Sequence, residues 1–503
     1  MRVVIHVVVP GDTLYAIAGR YGVSIESIAA ANAVSDPNVL VVGQALAIPV
    51  ARVPAAPLVY AVRPGDTLYS VAGLFSTTVQ AVAAANAIAN INLIYVGQRL
   101  VIPGWTYQLY TVTAGDTLSR LASRFSTTVA LLAAVNHLTD PNLINVGQSL
   151  IIPARSAPVA PRTPVETNGY VFPLSESSTR RILFGISHDL TYASVFSFPV
   201  DGRGGVAYAP GAAGPAVRVA RSLGIVPLAV ISNFDGSNFA PELARSAMSG
   251  PTGDATIASI VEFAESEGFQ GINVDFENMY AEDRQLYTSF IAALSRGAHA
   301  RGLTLSNAMA PKWADWPDLP WVGTFDYAAL APHLDFTMLM TYEWGWSGGP
   351  PMAIAPVNLV RRVLEYAVTR IPSSKILMGI PLYGYDWTVP APPGAFARTV
   401  TPPQAVDLAA RYGVDISFDQ TAQAPWFRYV DETGAQHEVW FEDIRSSVAA
   451  HALIETFGLR GASYWNLMYD YPQNWLALED RYMVRKVSRK SPGRAMGNPL
   501  QPF

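Results

Sequence analysis

The stretch Gly268-Phe-Gln-Gly-Ile-Asn-Val-Asp-Phe-Glu-Asn278 alternates between apolar and polar residues after its second glycine. This period of two predicts a β-strand with Asp275 and Glu277 on one face, about 6.5–7 Å apart along the strand. An amphipathic helical run over 281–300 follows it, and strand then helix is the unit of an α/β barrel. Such a strand is buried, and buried carboxylates are costly unless they are paired or used. The stretch therefore favours a catalytic pair over an edge strand whose polar face meets water.

The same rhythm of strands and helices continues through the last two thirds of the chain. We predict strands at residues 181–187, 194–198, 225–232, 271–277, 304–310, 335–342, 376–383 and 461–465. Eight strands over roughly 300 residues predict a (β/α)8 TIM barrel at 168–484. The aromatic-rich segment 389–441 predicts an α+β insertion between strands 7 and 8 that walls one side of the cleft, and 485–503 is a basic tail.

The first third holds three copies of one pattern, which predicts an array of small modules. The copies cover 4–50, 58–103 and 108–153, and each runs from Gly-Asp-Thr-Leu to a closing Val-Gly-Gln-x-Leu-x-Ile-Pro. Each copy reads as strand, two short helices and strand (βααβ), with the Asp or Thr of the turn placed to cap the first helix. Pro-rich segments at 49–57 and 154–167 and a short piece at 104–108 are interpreted as linkers.

Composition narrows the classes of function. The chain has 503 residues, half of them apolar and 15% charged, so more than one domain with a large core is expected. Its net charge of −5 gives no general attraction to nucleic acid or acidic lipid. The absence of cysteine excludes disulfides, thiolate zinc sites and cysteine nucleophiles.

No membrane span, metal or cofactor is predicted either. No run of 18 apolar residues occurs, and the first repeat begins so early that we expect no classical signal peptide. The seven histidines are scattered, and Phe441 stands where the pair His437-Glu438 would need a second zinc ligand.

The three copies closely resemble LysM modules, which bind N-acetylglucosamine polymers such as peptidoglycan or chitin. The resemblance implies glycan contacts from the Gly-Asp-Thr turn and from the loop before the second strand. These residues are Gly11, Asp12, Thr13, Asn38 and Leu40 in the first copy, Gly65, Asp66, Thr67, Asn92 and Ile94 in the second, and Gly115, Asp116, Thr117, Asn142 and Ile144 in the third. Helix capping alone is the alternative role for the Asp and Thr residues. Three modules in series would raise avidity for a polymer.

Residues 270–277 and the ends of the later strands resemble glycoside hydrolase family 18. The family motif Asp-Gly-x-Asp-x-Asp-x-Glu reads Gln-Gly-Ile-Asn-Val-Asp-Phe-Glu here, so the last acid pair is intact while Gln270 and Asn273 replace two aspartates. The family's Met-x-Tyr-Asp appears as Met-Thr-Tyr-Glu at 340–343, and its eighth-strand tryptophan as Trp465. Together with the LysM-like copies, these runs resemble the spore-cortex-lytic N-acetylglucosaminidases of endospore formers.

The resemblance implies retaining hydrolysis assisted by the substrate's own 2-acetamido group. In that scheme Glu277 is the acid, Asp275 orients the acetamide, Tyr342 hydrogen-bonds the acetamide oxygen and Trp465 forms the floor of the sugar site. Further substrate contacts are expected from Asn273, Asn307, Met340, Glu343 and Tyr383.

The departure at Asn273 predicts a different pH dependence. An asparagine leaves Asp275 with one negative neighbour fewer than an aspartate would, so its pKa should be raised less. We therefore expect activity to be retained, with a pH optimum unlike that of classical chitinases.

The predicted function is a peptidoglycan-binding glycosidase that cleaves N-acetylglucosaminyl bonds, located at the spore coat, cortex or cell wall. A chitinase or chito-oligosaccharide hydrolase would use the same residues on other subsites. A non-catalytic glycan-binding spore-coat protein is a third interpretation, which the presence of Glu277 disfavours.

Overall fold

The computed structural model describes residues 2–50, 57–125, 127–155 and 162–487. The chain forms two compact units. One combines Met1–Val50 with Arg162–Phe503, and the other is Ala51–Pro161. Most of the predicted linker at 49–57 and of the basic tail lies outside the described residues.

The first module is a pair of antiparallel strands with two helices between them. Its elements are β1 (Arg2–Val7), α1 (Leu14–Tyr21), α2 (Ile25–Asn32) and β2 (Ala45–Val50). The Thr13 hydroxyl accepts the amide of Ala16 and caps α1. Asn32 locks α2 to β2, because its side chain donates to the Ala47 carbonyl and accepts the Ala47 amide.

The second and third modules share one three-stranded sheet. Their elements are β3 (Pro57–Ala61), α3 (Leu68–Leu74), α4 (Val79–Ala85), β4 (Arg99–Thr111), α5 (Leu118–Arg124), α6 (Val129–Val135) and β5 (Ser149–Arg155). β4 pairs with β3 in one module and with β5 in the other. Residues 104–108, expected to be a linker, lie instead inside β4, because Trp105 and Tyr107 pack on the core of the second module.

The remaining chain builds the barrel. The first part of the barrel consists, in chain order, of β6 (Thr163–Val171), α7 (Glu176–Phe184), β7 (Tyr192–Pro199), α8 (Gly214–Ser222), β8 (Val226–Ser232), α9 (Pro241–Met248), α10 (Gly250–Ser266), β9 (Gly271–Asp275), α11 (Arg284–Ala300), β10 (Thr304–Met309), α12 (Tyr327–Leu330), β11 (Phe336–Leu339), α13 (Val357–Ala367) and β12 (Ile376–Pro381). An inserted lobe follows with β13 (Gly384–Val389), β14 (Arg398–Val400), α14 (Pro402–Tyr412), β15 (Ser417–Asp419), β16 (Ala424–Val430) and β17 (Gln436–Trp440). The chain then returns to the barrel with α15 (Ile444–Phe457), β18 (Gly461–Trp465), α16 (Pro472–Arg481) and β19 (Tyr482–Val484). β6 to β12 and β18 are parallel, and β18 closes onto β6. The predicted TIM barrel is confirmed.

The first barrel strand is not the predicted one. Residues 181–187 fall in α7, which Ser175 caps, and in the turn after it. The strand is β6, which begins inside the segment interpreted as a linker and before the expected domain start at 168. The prediction failed because β6 is polar: Asn168 is fully buried and bonds to Ser463 and Ser194 on the two neighbouring strands, β18 and β7.

The lobe between β12 and α15 is a five-stranded antiparallel sheet with one helix. The strand order is β14-β13-β17-β16-β15, and α14 is its helix. The lobe begins at Gly384 rather than near residue 389, so β13 carries Tyr385 toward the barrel mouth.

The first module packs against the lobe and α16. The Gln473 side chain donates to the Asn32 side-chain oxygen at 2.6 Å and to the Ala45 carbonyl at 2.9 Å. The Ile416 amide donates to the Val42 carbonyl at 2.9 Å. The first module is therefore part of the barrel unit.

The packed face of the first module is made of small side chains. Ala45 and Ala47 are buried against Ile444 and Ala477. By the repeat alignment, the second module has Arg99 and Val101 at these two positions, and the third has Ser149 and Ile151. Bulkier or more polar residues there do not fit such a close contact.

No single helix among the described residues combines the length and apolarity needed to cross a membrane. α3 and α4 reach that limit only when counted as a pair, and they are bent by 103° at the break between them.

Candidate active site

β9 places the predicted acids at the carboxyl end of the barrel strands. Ile272, Val274 and Phe276 pack into the core between barrel and helices, so the alternate residues face the barrel interior. Asp275 is 4% exposed at the end of the strand, whereas Glu277 is partly exposed two residues later. The two carboxyl groups thus differ in their access to the cleft.

One side chain at the end of the neighbouring strand β8 holds the backbone of Glu277. Asn233, directly after β8 and fully buried, donates to the Glu277 carbonyl at 2.8 Å and accepts the Glu277 amide at 2.9 Å. These two bonds fix the main chain that carries the carboxyl group.

A cavity of about 200 Å³ opens in front of the two acids. Its lining is mostly aromatic and consists of Tyr170, Phe196, Phe239, Asp275, Glu277, Ala308, Trp321, Met340, Tyr342, Glu343, Tyr385 and Trp465. Trp465 is braced by edge contacts with Tyr170 and Phe196, at centroid distances of 5.2 and 4.9 Å. A concave, ring-lined cavity with a few polar groups is a typical binding site for an organic ligand.

The electrostatics of the cavity favour protonated acids. Burial raises the pKa of Glu277 to about 7, a hydrogen bond from Trp321 lowers it, and the charge of Glu343 raises it. Burial and the neighbouring Glu277 raise the pKa of Asp275 well above its usual range. The Oδ1 atom of Asp275 is buried and has no hydrogen-bond partner among the described residues.

Glu343 is a third acid at the rim of the cavity. Its Oε1 accepts hydrogen bonds from the hydroxyls of Tyr383 and Tyr385, the latter at 2.9 Å. Burial raises the pKa of Glu343, and the two hydroxyls lower it. Glu343 therefore affects both the charge and the shape of the cavity.

Three non-glycine residues near the acids have left-handed backbone conformations. Asn278, Trp321 and Glu343 have φ values of 53°, 69° and 68°. Such φ values are uncommon outside glycine and, for a bulky residue, occur mainly where function maintains the strain.

The comparison with known proteins agrees with this geometry. Residues 232–470 match the profile of glycosyl hydrolases family 18, and residues 6–49, 60–103 and 110–153 match the LysM domain. The chain is 44% identical over 436 residues to the cortical fragment-lytic enzyme of Bacillus subtilis (strain 168), which covers 85% of this chain and 99% of that protein. This chain belongs to glycoside hydrolase family 18.

Solved structures of the family extend the match to almost the whole length. The spore cortex-lytic enzyme SleL of Bacillus megaterium QM B1551 is similar with a TM-score of 0.71 and 33% identity, over 97% of this chain and 99% of that one. A chitinase from Chromobacterium violaceum matches with a TM-score of 0.57 and 28% identity, over 63% of this chain and 98% of that one.

The cavity of this family 18 glycosidase brings together most of the residues predicted from the sequence. Glu277, Asp275, Tyr342, Met340, Glu343 and Trp465 line it. Asn273, Asn307 and Tyr383 are buried and do not line it.

The three buried residues contact groups around the cavity instead. Asn273 accepts a bond from Tyr170 at 3.0 Å and donates to Ser306 at 3.1 Å. Asn307 donates to the Tyr287 hydroxyl at 3.2 Å. These bonds fix neighbouring side chains, and the predicted contacts of these residues with substrate stay predictions.

Sequence reasoning missed Asn233 and Trp321. Asn233 follows a plain apolar strand, and Trp321 lies in the irregular segment after β10. Neither has a repeating pattern around it. The one signal for Asn233 in the sequence is that it is a polar residue directly after a predicted barrel strand.

The LysM-like turns use their Asp and Thr side chains internally. In the second module the Asp66 carboxylate accepts the Arg63 amide and the Tyr60 hydroxyl, both at 2.7 Å. Thr67 caps α3 by accepting the Ser70 amide at 3.0 Å. The same pairings recur in the other two modules, with His6 in place of the tyrosine in the first.

One group of side chains among the described residues has the spacing of metal ligands. It comprises His188, Asp189 and Glu479, with His188 Nε2 at 3.2 Å from Asp189 Oδ2 and 2.6 Å from Glu479 Oε1. The group joins α16 to the segment before β7, so it lies at the opposite end of the barrel from the cleft.

Proposed function

We propose that this glycosidase binds peptidoglycan and cleaves N-acetylglucosaminyl bonds in spore cortex or cell-wall glycan. The observation that carries the proposal is Glu277, a carboxyl group with a pKa of about 7 that faces an aromatic cavity beside a second, more buried acid. The similarity to a cortical fragment-lytic enzyme and to a spore cortex-lytic enzyme supports this class of substrate.

Glu277 is the proton donor in the proposed reaction. Burial raises its pKa to about 7, which favours retention of the proton that a general acid must donate. It gives its proton to the glycosidic oxygen while the bond between that oxygen and C1 breaks. The leaving sugar departs with a hydroxyl group.

The substrate's acetamide supplies the nucleophile. Its carbonyl oxygen attacks C1 and forms a cyclic oxazolinium ion. In other retaining glycosidases a second carboxylate of the enzyme takes this nucleophilic role. Asp275, which lines the cavity, acts in its carboxylate form here: it accepts a hydrogen bond from the acetamide N–H and stabilises the positive charge. Tyr342 donates to the acetamide oxygen and holds it beneath C1.

Water completes the cycle. Glu277, now a carboxylate, takes a proton from water, and the hydroxide oxygen bonds to C1 while the bond from C1 to the acetamide oxygen breaks. The two inversions retain the configuration at C1. Glu277 is then protonated again for the next turnover.

The remaining cavity residues position the sugar. Trp465 forms the floor under the pyranose ring, since it lines the cavity and is held there by T-shaped contacts with Tyr170 and Phe196. Met340 and Glu343 contact the substrate at the wall. Asn273, Asn307 and Tyr383 act through the residues they bond to.

The LysM modules hold the polymer during hydrolysis. Several weak grooves on one chain raise the local concentration of glycan at the cleft. This arrangement suits an insoluble polymer and supports a location at the spore cortex or cell wall.

The test is product mass spectrometry. Cortex fragments containing muramic lactam are incubated with the full chain and with Glu277→Gln, and N-acetylchito-oligosaccharides of equal length are treated in parallel. We expect new reducing-end N-acetylglucosamine products from cortex fragments with the full chain and none with Glu277→Gln. Faster cleavage of chito-oligosaccharides than of cortex fragments would favour a chitinase instead.

A further inference from the structure

The three LysM modules differ at the residue that follows Gly-Asp-Thr-Leu. The first two have Tyr15 and Tyr69 there, and the third has Ser119. The tyrosines are 80% and 82% exposed, so neither ring contributes to its module's core.

Tyr69 lines the groove of the second module. This groove has a volume of about 710 Å³. Its lining includes residues 66–68 of the turn on one side and Ile91, Asn92 and Ile94 on the other. A Tyr ring at the wall of such a groove offers a rigid apolar face with a polar tip.

Part of the hydrogen-bonding capacity of the turn is used inside the module. Asp66 Oδ2 accepts the Arg63 amide and the Tyr60 hydroxyl, and the Thr67 hydroxyl oxygen caps α3. The exposed ring of Tyr69 and the aliphatic side chains opposite it add apolar surface that a ligand can bury.

The first module has one wall of its groove committed to packing. Its loop before β2 bonds to the lobe through Ser35 and Asp407 at 2.7 Å and through Val42 and Ile416. Val41 in the same loop is 6% exposed and belongs to the core of the lobe.

The third module supports the second. Leu131, Ala134 and Val135 of α6 pack into the core of the second module, and the Arg63 guanidinium donates to the carbonyls of Ala133 and Ala134. Together with the shared strand β4, these contacts make the two modules one body.

We propose that the second module provides most of the affinity of this chain for N-acetylglucosamine polymer, through a sugar ring stacked on Tyr69. The third module serves mainly as a brace, because Ser119 offers no ring. The first module contributes less, because the loop that forms half of its groove is fixed on the lobe. This inference rests on the proposed function as a glycan-binding hydrolase.

The test exchanges the two residues in the full chain. All variants carry Glu277→Gln so that the glycan is not consumed, and binding to purified peptidoglycan sacculi is measured by cosedimentation. We expect Tyr69→Ser to weaken binding about three- to tenfold, the range of one aromatic contact. Tyr69→Phe keeps the ring and should bind within about twofold of the parent, and Ser119→Tyr should tighten binding.

The side chains of Tyr69 and Ser119 are both exposed, so we expect these substitutions to leave folding intact. Unchanged binding by Tyr69→Ser, with a parent that binds, would overturn the inference and leave the proposed function standing. A parent that does not bind sacculi would overturn both. Hydrolysis of short soluble fragments by Tyr69→Ser with Glu277 restored should equal that of the unaltered chain, and a loss there would also contradict the inference.

Discussion

The cleft of the barrel and the groove of the second LysM module both present aromatic rings and acids, but they differ in burial. In the cleft Asp275 is 4% exposed, and burial raises the pKa values of both Asp275 and Glu277. In the groove Tyr69 is 82% exposed, and the turn acids accept backbone amides. These amides lower the pKa of the equivalent Asp12 and Asp116.

The difference separates reaction from binding. Desolvation keeps a proton on a carboxyl group near neutral pH, which general-acid catalysis requires. A satisfied carboxylate in a capped turn has no such reactivity, and an exposed ring can only provide contact area.

The largest effect is expected for Glu277→Gln. The amide cannot donate a proton of suitable acidity, so kcat on soluble fragments should fall by at least about a thousandfold. Cosedimentation with peptidoglycan should be unchanged, because the grooves are not altered. Substantial remaining turnover, or a parallel loss of binding, would break the separation between cleft and groove.

Asn233→Ala tests the support of Glu277 rather than its chemistry. Loss of the two bonds to the Glu277 backbone should displace the carboxyl group and lower kcat by about ten- to a hundredfold, with KM changed far less. Asn238→Ala, an exposed asparagine in the same loop, is the matched control and should keep normal kcat. Equal rates for the two variants would mean that the two hydrogen bonds from Asn233 to the Glu277 backbone have no role in catalysis.

Gln473→Ala acts where the first module meets the barrel. It removes two hydrogen bonds to the module and leaves the buried Ile444 amide without the Gln473 side-chain oxygen to which it donates. The free energy of unfolding should fall by about 1–3 kcal/mol in a denaturant titration. The exposed Gln285→Ala is the control. Turnover of soluble fragments should be unaffected, and a large loss of kcat would show that the module shapes the cleft.

The smallest effects are opposite shifts of the pH profile. Trp321 lowers the pKa of Glu277, so Trp321→Phe should raise it, and the fall in kcat/KM with increasing pH should move to higher pH. Glu343 raises that pKa through its charge, so Glu343→Gln should move this fall in kcat/KM to lower pH. Shifts of the same sign in both variants would contradict the assignment of the fall in kcat/KM to the ionisation of Glu277.

Sequence reasoning succeeded where the pattern is repetitive. The alternation around Val274 gave the strand, the face and both acids, and the barrel followed from the rhythm of the other strands. It failed at β6, because the inward residues Glu166 and Asn168 are polar and satisfied only by partners distant in sequence. The roles of Asn233 and Trp321 likewise depend on contacts between loops that no local pattern encodes.

The unequal modules were only partly readable. The repeat alignment predicted three modules of one βααβ pattern, and the structure shows that Ala45 and Ala47, in place of larger residues, mark the one that packs on the rest of the barrel unit. Such a substitution gains meaning only when the partner surface is known.

The most direct test of the account is the configuration of the first product. Proton NMR within the first minutes of hydrolysis, before mutarotation, distinguishes the two anomers of the new reducing-end N-acetylglucosamine. Attack by the acetamide followed by water predicts that the β-anomer of a β-linked substrate appears first. Initial formation of the α-anomer would contradict the mechanism assigned to Asp275 and Glu277.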